Sequence, residues 1–378
     1  MIKSWTKKWF LILFLMASCF SYLVATTGEK YFKMANQALK RGDYHKAVAF
    51  YKRSCNLRVG VSCTSLGSMY EDGDSVDQNI PKAVFYYRRG CNLRNHLACT
   101  SLGSMYEDGD GVQKNLPKAI YYYRRGCHLK GGVSCGSLGF MYFNGTGVKQ
   151  NYAKALSLSK YACSLNYGIS CNFVGYMYRN AKGVQKDLKK ALANFKRGCH
   201  LKDGASCGSL GFMYFNGTGV KQNYAKALSL SKYACSLNYG ISCNFVGYMY
   251  RNAKGVQKDL KKALANFKRG CHLKDGASCV SLGYMYEVGM DVKQNEEQAL
   301  NLYKKGCFLK EGSGCHNVAV MYYTGKGTPK DLDKAISYYK KGCTLGFSGS
   351  CKVLEEVIGK KSDDLQDDAQ NDTQDNTQ

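Results

Sequence analysis

The sequence has few of the residues that separate domains. Its 378 residues include only three prolines, and its 41 glycines recur at fixed intervals instead of clustering into flexible linkers. A chain of this length would ordinarily divide into two or three domains. The shortage of proline and the regular spacing of glycine exclude linker-separated domains and favour one continuous repeat architecture.

Acidic residues are also scarce outside the C-terminus. The chain has 28 Asp and Glu against 54 Lys and Arg, a net charge of +26, and residues 362–378 hold six aspartates and no basic residue. A basic balance of this size is typical of nucleic-acid-binding proteins. We nevertheless expect no nucleic-acid partner, because the N-terminus indicates export and much of the positive charge has a structural role.

Residues 1–25 predict a signal peptide. Three lysines among the first eight residues precede a segment without charged residues from Trp9 to Ala25, the basic-then-apolar order of secretory signals. Two alternatives stay open: an uncleaved membrane anchor, and lipidation of Cys19, which follows small residues in the stretch MASC. Only in those two cases would the protein contact a membrane.

The cysteines reveal a repeat. Apart from Cys19, they form nine pairs whose members are separated by seven residues, and successive pairs advance by 36 residues. A period of this size indicates a stack of similar helical units. The pairs are Cys55–Cys63, Cys91–Cys99, Cys127–Cys135, Cys163–Cys171, Cys199–Cys207, Cys235–Cys243, Cys271–Cys279, Cys307–Cys315 and Cys343–Cys351.

Each repeat predicts two helices. Residues 98–107 (ACTSLGSMYE) place Leu102, Met105 and Tyr106 at helical spacing before the glycine-rich loop DGDGVQKN, which predicts helix A. Residues 116–129 (LPKAIYYYRRGCHL) have proline at an early helical position and two arginines in the last turn. This arrangement predicts helix B, whose arginines oppose the negative end of the helix dipole.

The repeat also sets the predicted domain boundaries. We expect an N-terminal capping helix pair at 29–59, eight 36-residue repeats at 60–347, a C-terminal capping helix at 348–361 and a disordered acidic tail at 362–378. Residues 134–207 are identical to residues 206–279, so two whole repeats were copied as a block of 72 residues. That length keeps every later repeat in phase.

The motifs resemble a known family. Leu102, Gly103 and Tyr106 form the pattern Leu-Gly-x-x-Tyr, and with the G-x-G-V loop and the K-A-x-x-Y-Y of Lys118 to Tyr123 they resemble Sel-1-like repeats, relatives of the tetratricopeptide repeat. With a cysteine pair in every repeat, the sequence is similar to the Helicobacter cysteine-rich proteins. The resemblance implies an all-α, right-handed α/α superhelical solenoid of helix pairs, secreted or periplasmic in a bacterium, and we expect a monomer.

Nine equivalent cysteine pairs indicate one shared structural task. Zinc sites need ligands grouped in fours, such as two C-x2-C motifs, and a thiol nucleophile needs its own base, so neither a metal site nor cysteine catalysis is supported. The first cysteine falls in the last turn of helix B and the second at the start of the next helix A. We therefore expect disulfides in all nine pairs, and no cofactor.

Helix A of the related repeats lines the concave face, with its first, fifth, eighth and ninth positions after the second cysteine exposed. These positions are polar and acidic in the first two full repeats and become aromatic, amide and arginine further along. Rings would contact an extended peptide, amides would hold its backbone and arginine a carboxylate; the alternative that the rings only pack against neighbouring helices stays open. The predicted groove contains Phe140, Phe143, Asn144, Asn172, Tyr176, Arg179, Asn180, Phe212, Asn244, Tyr248, Arg251 and Asn252.

The sequence leaves two functions open. The first is the binding of peptides or proteins, including host proteins, on the concave face. The second is implied by the resemblance alone: a penicillin-binding protein with weak β-lactamase activity, whose ligand would be a β-lactam or a peptidoglycan-like small molecule. The motif S-x-x-K occurs at Ser157, Ser229 and Ser337, but S-D-N and K-T-G are absent from the sequence. We therefore assign no catalytic residue, and whether the protein is an enzyme stays open. The side chain of His316 is expected to be a polar surface residue.

Overall fold

The computed structural model describes residues 26–73 and 76–356, and every regular element within them is an α-helix. Helix α1 covers residues 26–40 and α19 covers 348–356. The others are α2 (Tyr44–Asn56), α3 (Gly60–Asp72), α4 (Ile80–Asn92), α5 (His96–Asp108), α6 (Leu116–His128), α7 (Gly132–Asn144), α8 (Tyr152–Ser164), α9 (Gly168–Arg179), α10 (Leu188–His200), α11 (Gly204–Asn216), α12 (Tyr224–Ser236), α13 (Gly240–Arg251), α14 (Leu260–His272), α15 (Gly276–Val288), α16 (Glu296–Phe308), α17 (Gly312–Thr324) and α18 (Leu332–Thr344).

The chain forms two compact units, Met1–Asp187 and Leu188–Gln378. Unit 1 holds α1 to α9 and unit 2 holds α10 to α19. Odd-numbered helices are the predicted helices A and even-numbered helices the predicted helices B. The predicted signal peptide and acidic tail lie outside the described residues. No helix within the described residues combines the length and hydrophobicity that crossing a membrane requires.

Local sequence explains where the helices start and stop. The side chain of Asn115 accepts a hydrogen bond from the backbone N–H of Lys118 at the start of α6, and Pro117 follows in the first turn. Asn151 before α8 and Asp259 before α14 cap their helices in the same way. Each of these hydrogen bonds satisfies one of the N–H groups that have no partner in the first helical turn. Helix α5 ends at Gly109, whose φ of 85° belongs to the left-handed region that glycine adopts without strain.

The glycine of the Leu-Gly-x-x-Tyr motif brings helices A and B together. A Cβ at Gly103 would lie 2.5 Å from the ring of Tyr123 on α6. Beside this contact, Leu102 and Met105 are buried, and the equivalent methionines Met69 and Met141 are buried as well. Each helix pair therefore closes around a narrow core of leucine, methionine and tyrosine.

Disulfides join each helix B to the next helix A. All nine cysteine pairs are bonded, with Cα–Cα distances between 4.5 and 4.9 Å. The first eight pairs are buried, and the last, Cys343–Cys351, is half-buried. The predicted all-α architecture of helix pairs stapled by disulfides is confirmed.

Candidate functional site

The predicted groove aromatics and neighbouring phenylalanines gather into one cluster in each unit. The first aromatic cluster consists of Phe140, Phe143, Phe173 and Tyr176 in unit 1. The second aromatic cluster consists of Phe212, Phe215, Phe245 and Tyr248 in unit 2. The two clusters are equivalent because they come from the two copies of the duplicated block.

The first aromatic cluster is built on a buried ring. Phe173 is 7% exposed, and its ring centre lies 4.5 Å from that of Phe140 in a stacked arrangement and 4.9 Å from that of Phe143 in an edge arrangement. Tyr176, one turn further along α9, is stacked at 6.3 Å on Phe173. Phe140 remains 46% exposed. The rings thus pack against one another and still present apolar surface to a ligand.

The second aromatic cluster repeats this plan in a looser form. Phe245 contacts Phe212 at 5.3 Å and Phe215 at 4.9 Å between ring centres. Phe212 is 48% exposed and Tyr248 is 36% exposed. Large rings with this much free surface are the kind of anchor that binding interfaces use.

Phe173 and Phe245 were absent from the predicted site. They occupy the second position after the second cysteine, which is not one of the four positions that the resemblance marks as exposed. The sequence does carry a signal, because the same position is serine in the other full repeats up to Ser281. A serine replaced by phenylalanine in only the two copies marks a local change of function or packing.

The groove asparagines are partly engaged within the protein. An amide N–H of Asn180 donates to the carbonyl of Tyr176 at 2.9 Å, and Asn252 donates in the same way to Tyr248 at 2.8 Å. The Oδ1 of Asn244 accepts from Ser281 Oγ at 3.0 Å. These amides close helix ends and cross-link helices, so only their remaining polar atoms can meet a ligand. Asn144 is exposed at the end of α7.

A cationic cavity lies within unit 2. It has a volume of about 520 Å³ and is lined by Arg251, Asn252, Lys258, Leu260, Val280, Ser281, Tyr284, Met290 and Asn317. The Arg251 guanidinium lies 5.6 Å from the ring centre of Phe267 and 5.9 Å from that of Tyr284. Within the described ranges, no carboxylate forms an ion pair with Arg251 or Lys258. The cavity therefore offers free positive charge beside aromatic surface.

A smaller cavity with the opposite charge lies within unit 1. It measures about 240 Å³, and its walls include Glu107, Ser137, Phe140, Tyr167 and Phe173. The Glu107 carboxylate accepts a hydrogen bond of 2.7 Å from the Tyr123 hydroxyl, and burial together with this carboxylate raises the pKa of Tyr123. An apolar or positively charged group suits this cavity, since a carboxylate stands at its aromatic wall.

The serine and the lysine of the S-x-x-K motif at Ser157 do not line the same cavity. Ser157 lines a third cavity, of about 490 Å³, but Lys160 does not. The Lys160 ammonium instead lies 5.3 Å from the ring centre of Tyr178, and Lys232 of the second copy lies 5.2 Å from that of Tyr250. A basic residue occurs at this position in every full repeat, as in Arg88. The motif therefore arises from a repeated structural cation.

The remaining candidate groups have structural surroundings. Within the described residues, no three His, Cys, Asp or Glu side chains gather where they could hold a metal ion. His316 is half-buried rather than on the surface: its Nδ1 lies 3.2 Å from Ser350 Oγ, and its ring centre lies 5.0 Å from that of Phe347. Burial lowers the pKa of His316.

Comparison with known proteins places the repeats in a family. The sequence profile of the Sel1 repeat matches nine segments that together span most of the chain. The first of them covers the segment predicted to be an N-terminal capping pair. The matched residues are 30–58, 60–95, 96–130, 133–167, 168–203, 205–239, 240–275, 276–307 and 312–347.

Similar curated proteins come from Helicobacter pylori. A protein named putative beta-lactamase HcpD is 93% identical over 82 residues, which are 22% of this chain and 27% of HcpD. Beta-lactamase HcpA is 40% identical over 83 residues, 22% of this chain and 33% of that protein. The matched part is thus at most a third of either relative.

Solved structures share the fold. A protective antigen of uropathogenic Escherichia coli displaying an SLR fold is 22% identical with a TM-score of 0.59, over 89% of this chain and 79% of that one. A Sel1 repeat protein from Oxalobacter formigenes is 24% identical with a TM-score of 0.60, over 64% of this chain and 98% of that one. The chain therefore belongs to the Sel1 repeat family, with the solenoid fold of its members.

Proposed function

We propose that the protein binds extended segments of other proteins outside the cytoplasm, and that the two aromatic clusters on its helices A are the anchors. The observation that carries this proposal is Phe140, which is half-exposed on top of the buried Phe173 ring. A rigid aromatic pair fixed in this way loses little conformational freedom on binding, so its apolar contact is available as affinity.

The charges beside the clusters favour particular ligand side chains. The cavity of unit 1 places Glu107 next to Phe140, so it suits an apolar residue followed by lysine or arginine. The cavity of unit 2 places Arg251 and Lys258 next to Tyr284, so it suits an acidic side chain or a terminal carboxylate. Each cavity would contribute its own contact to a chain bound at its own unit.

The redox chemistry supports an extracytoplasmic site of action. Nine disulfides are stable in an oxidising compartment and uncommon in a reducing cytosol. The basic and apolar residues 1–25 would direct export as a signal peptide. A secreted or periplasmic protein of this kind would meet envelope proteins of its own cell and proteins of a host.

A displayed peptide library tests the proposal. Peptides captured by the mature chain would be remeasured against a variant in which Phe140, Phe173, Phe212 and Phe245 are serine. Serine is native at the equivalent positions Ser104 and Ser137, so the fold should persist. We expect at least about a tenfold loss of affinity, because anchors of this type carry much of a binding energy.

Phe308 supplies the matched control. It is 81% exposed and belongs to neither cluster, so Phe308→Ser should bind captured peptides like the unmodified chain. The fourfold serine variant must first be shown by mass spectrometry to have native disulfides. If it then binds the captured peptides as tightly as the unmodified chain, the clusters are not the anchors.

β-Lactam hydrolysis is the second candidate, suggested by the names of HcpD and HcpA. In its favour, Ser157 lines a cavity with Arg124 and Lys154. Against it, Lys160 lies at Tyr178 and does not line that cavity. We expect no turnover of a chromogenic cephalosporin; turnover that disappears when Ser157, Ser229 and Ser337 are changed to alanine would establish the enzyme.

A further inference from the structure

We propose that unit 1 has a second binding site, for a small aromatic carboxylate, between helices B α6 and α8. The site is the cavity of about 490 Å³ lined by Arg124, Cys127, His128, Leu138, Tyr142, Lys154, Ser157, Leu158 and Tyr161. It is formed by helices B with Leu138 and Tyr142 of α7 beneath them. It shares no lining residue with the aromatic clusters, and the inference does not depend on the proposed function.

The cavity lies where two tyrosine rings of the previous repeat are missing. In three other repeats the tyrosine that ends the Leu-Gly-x-x-Tyr motif stacks on a tyrosine 16 residues later: Tyr70 on Tyr86 at 5.7 Å, Tyr106 on Tyr122 at 5.8 Å and Tyr322 on Tyr338 at 6.0 Å. The partner position for Tyr142 holds Leu158, and Ser157 stands where the previous repeat has Tyr121. The space that two rings fill in one repeat is therefore open in the next.

The surroundings of that space suit a flat apolar group. Leu138 and Leu158 supply aliphatic walls, and Cys127, in the buried disulfide to Cys135, lies alongside. Cavities of this volume are in the range that holds small ligands. An aromatic ring would take the stacking position on Tyr142 that Tyr122 takes on Tyr106.

Two cations give the cavity its charge. Arg124 Nη2 donates to the Tyr142 hydroxyl at 3.0 Å, and the Lys154 ammonium lies 5.2 Å from the Tyr142 ring centre. In the described part of the chain, neither forms an ion pair with a carboxylate. The remaining polar side chains at the cavity belong to His128, Ser157 and Tyr161, so none of its nine lining residues is a carboxylate.

The lysine does not block the stacking position. Lys118 lies 5.2 Å from the Tyr106 ring centre in the repeat where Tyr122 is stacked on the same ring. A lysine and an aromatic partner thus coexist on one tyrosine. A ligand that joins a ring to an anionic group would satisfy Tyr142 and both cations together.

The duplicated block supplies a near-identical second copy. Eight of the nine lining residues recur 72 positions later within unit 2, and the ninth changes from Arg124 to Lys196. The copy of Lys154 keeps its place, with Lys226 4.5 Å from the Tyr214 ring centre. Lysine lacks the planar two-pronged geometry with which arginine holds a carboxylate, so we expect the copy in unit 2 to bind more weakly.

Titration of the full mature chain with 2-naphthoate, followed by calorimetry, tests the site. We expect saturable binding, at least tenfold weaker for the neutral 2-naphthamide, since the amide cannot pair with Arg124 and Lys154. Leu158→Tyr should abolish binding at unit 1, because the native Tyr122 shows that a ring fits this position. Leu230→Tyr is the matched change in unit 2 and should remove only the weaker site.

Two further variants keep the test decisive if Leu158→Tyr misfolds. Arg124→Gln and Lys154→Gln change solvent-facing cations without filling the cavity, and each should weaken 2-naphthoate binding about tenfold while leaving 2-naphthamide unaffected. Binding that survives both tyrosine substitutions together overturns the proposal. So does equal binding of acid and amide, or no binding by the unmodified chain.

Discussion

At the scale of single residues, Gly103 shows how closely the two helices of a repeat approach. An added Cβ would lie 2.5 Å from Tyr123, whose ring is buried and cannot withdraw without opening the core. We expect Gly103→Ala to lower the free energy of unfolding by about 1–3 kcal/mol, the usual cost of overpacking. Urea unfolding measures the change. Ser104→Ala, at the exposed neighbouring position, is the control; equal midpoints for the two variants would contradict the close packing.

Buried tyrosine hydroxyls predict a loss of stability in alkali. Burial, and then hydrogen bonds to the carboxylates of Glu71 and Glu107, raise the pKa of Tyr87 and Tyr123 in the folded state. In the unfolded chain both titrate near pH 10. The folded state therefore holds these protons more tightly, and its stabilisation is complete below pH 10 and declines as pH rises beyond it.

Urea midpoints measured from pH 8 to pH 11 test this dependence. They should be level up to about pH 10 and then fall. The double variant Tyr87→Phe, Tyr123→Phe should show a shallower fall over the same range, because two of the responsible protons are gone. An unchanged slope in this variant would show that other groups control the alkaline limit.

The groove residues illustrate what a sequence can reveal about a site. The resemblance to related repeats placed Phe140 and Phe212 at exposed positions of helix A, and both rings are exposed. It could not place Phe173, because the exposure of a ring at that position depends on the ring of the neighbouring repeat. Asn180 likewise fits a ligand by residue type, yet its amide closes its own helix. Side-chain partners across repeats decide such roles.

At the scale of elements, the disulfides set the strength of the link between successive helix pairs. Each closes a loop of about nine residues, which the chain-entropy model values at about 2.6 kcal/mol. Cys163→Ala with Cys171→Ala removes the link between α8 and α9 inside unit 1. We expect a loss of about 2–3 kcal/mol and faster hydrogen exchange in both helices and their neighbours.

The terminal bridge provides the comparison. Cys343→Ala with Cys351→Ala unlinks α19, which has a neighbouring helix on one side only among the described residues. Its effect on exchange should be confined to α17, α18 and α19, because Ser350 of α19 also lies 3.2 Å from His316 of α17. A loss of protection spread evenly over the chain in either variant would contradict nearest-neighbour coupling between repeats.

Helix boundaries were the most predictable feature. Helix A was predicted at 98–107 and runs from His96 to Asp108; helix B was predicted at 116–129 and runs from Leu116 to His128. Local chemistry fixes these limits, since Asn115 caps one helix and Gly109 ends the other. The cavity between α6 and α8 was not predictable in this way. It depends on Leu158 and Ser157 lacking rings that their counterparts Tyr122 and Tyr121 possess.

At the scale of the whole molecule, one copy of the duplicated block can be deleted without creating a new sequence at the junction. Removing residues 134–205 joins Val133 to Ser206, and the sequence that follows is identical to the one that was removed. Within each unit, a helix contacts its sequence neighbours, and helices A also contact the helix A of the adjacent repeat. The shortened chain therefore regains the local contacts of the original junction on both sides.

The shortened chain should fold with two bridges fewer and with one aromatic cluster. The distance between Cys127 and Cys207 becomes eight positions, the separation found in every native bridge. Alkylation without reductant, followed by mass spectrometry, should label none of the repeat cysteines, and urea unfolding should remain cooperative with a smaller dependence on denaturant. A control that removes residues 134–203 leaves two extra residues between those cysteines and shifts every later helix out of phase. We expect free or mispaired thiols in the control alone; their appearance in the 72-residue deletion would mean that contacts beyond adjacent repeats are required for folding.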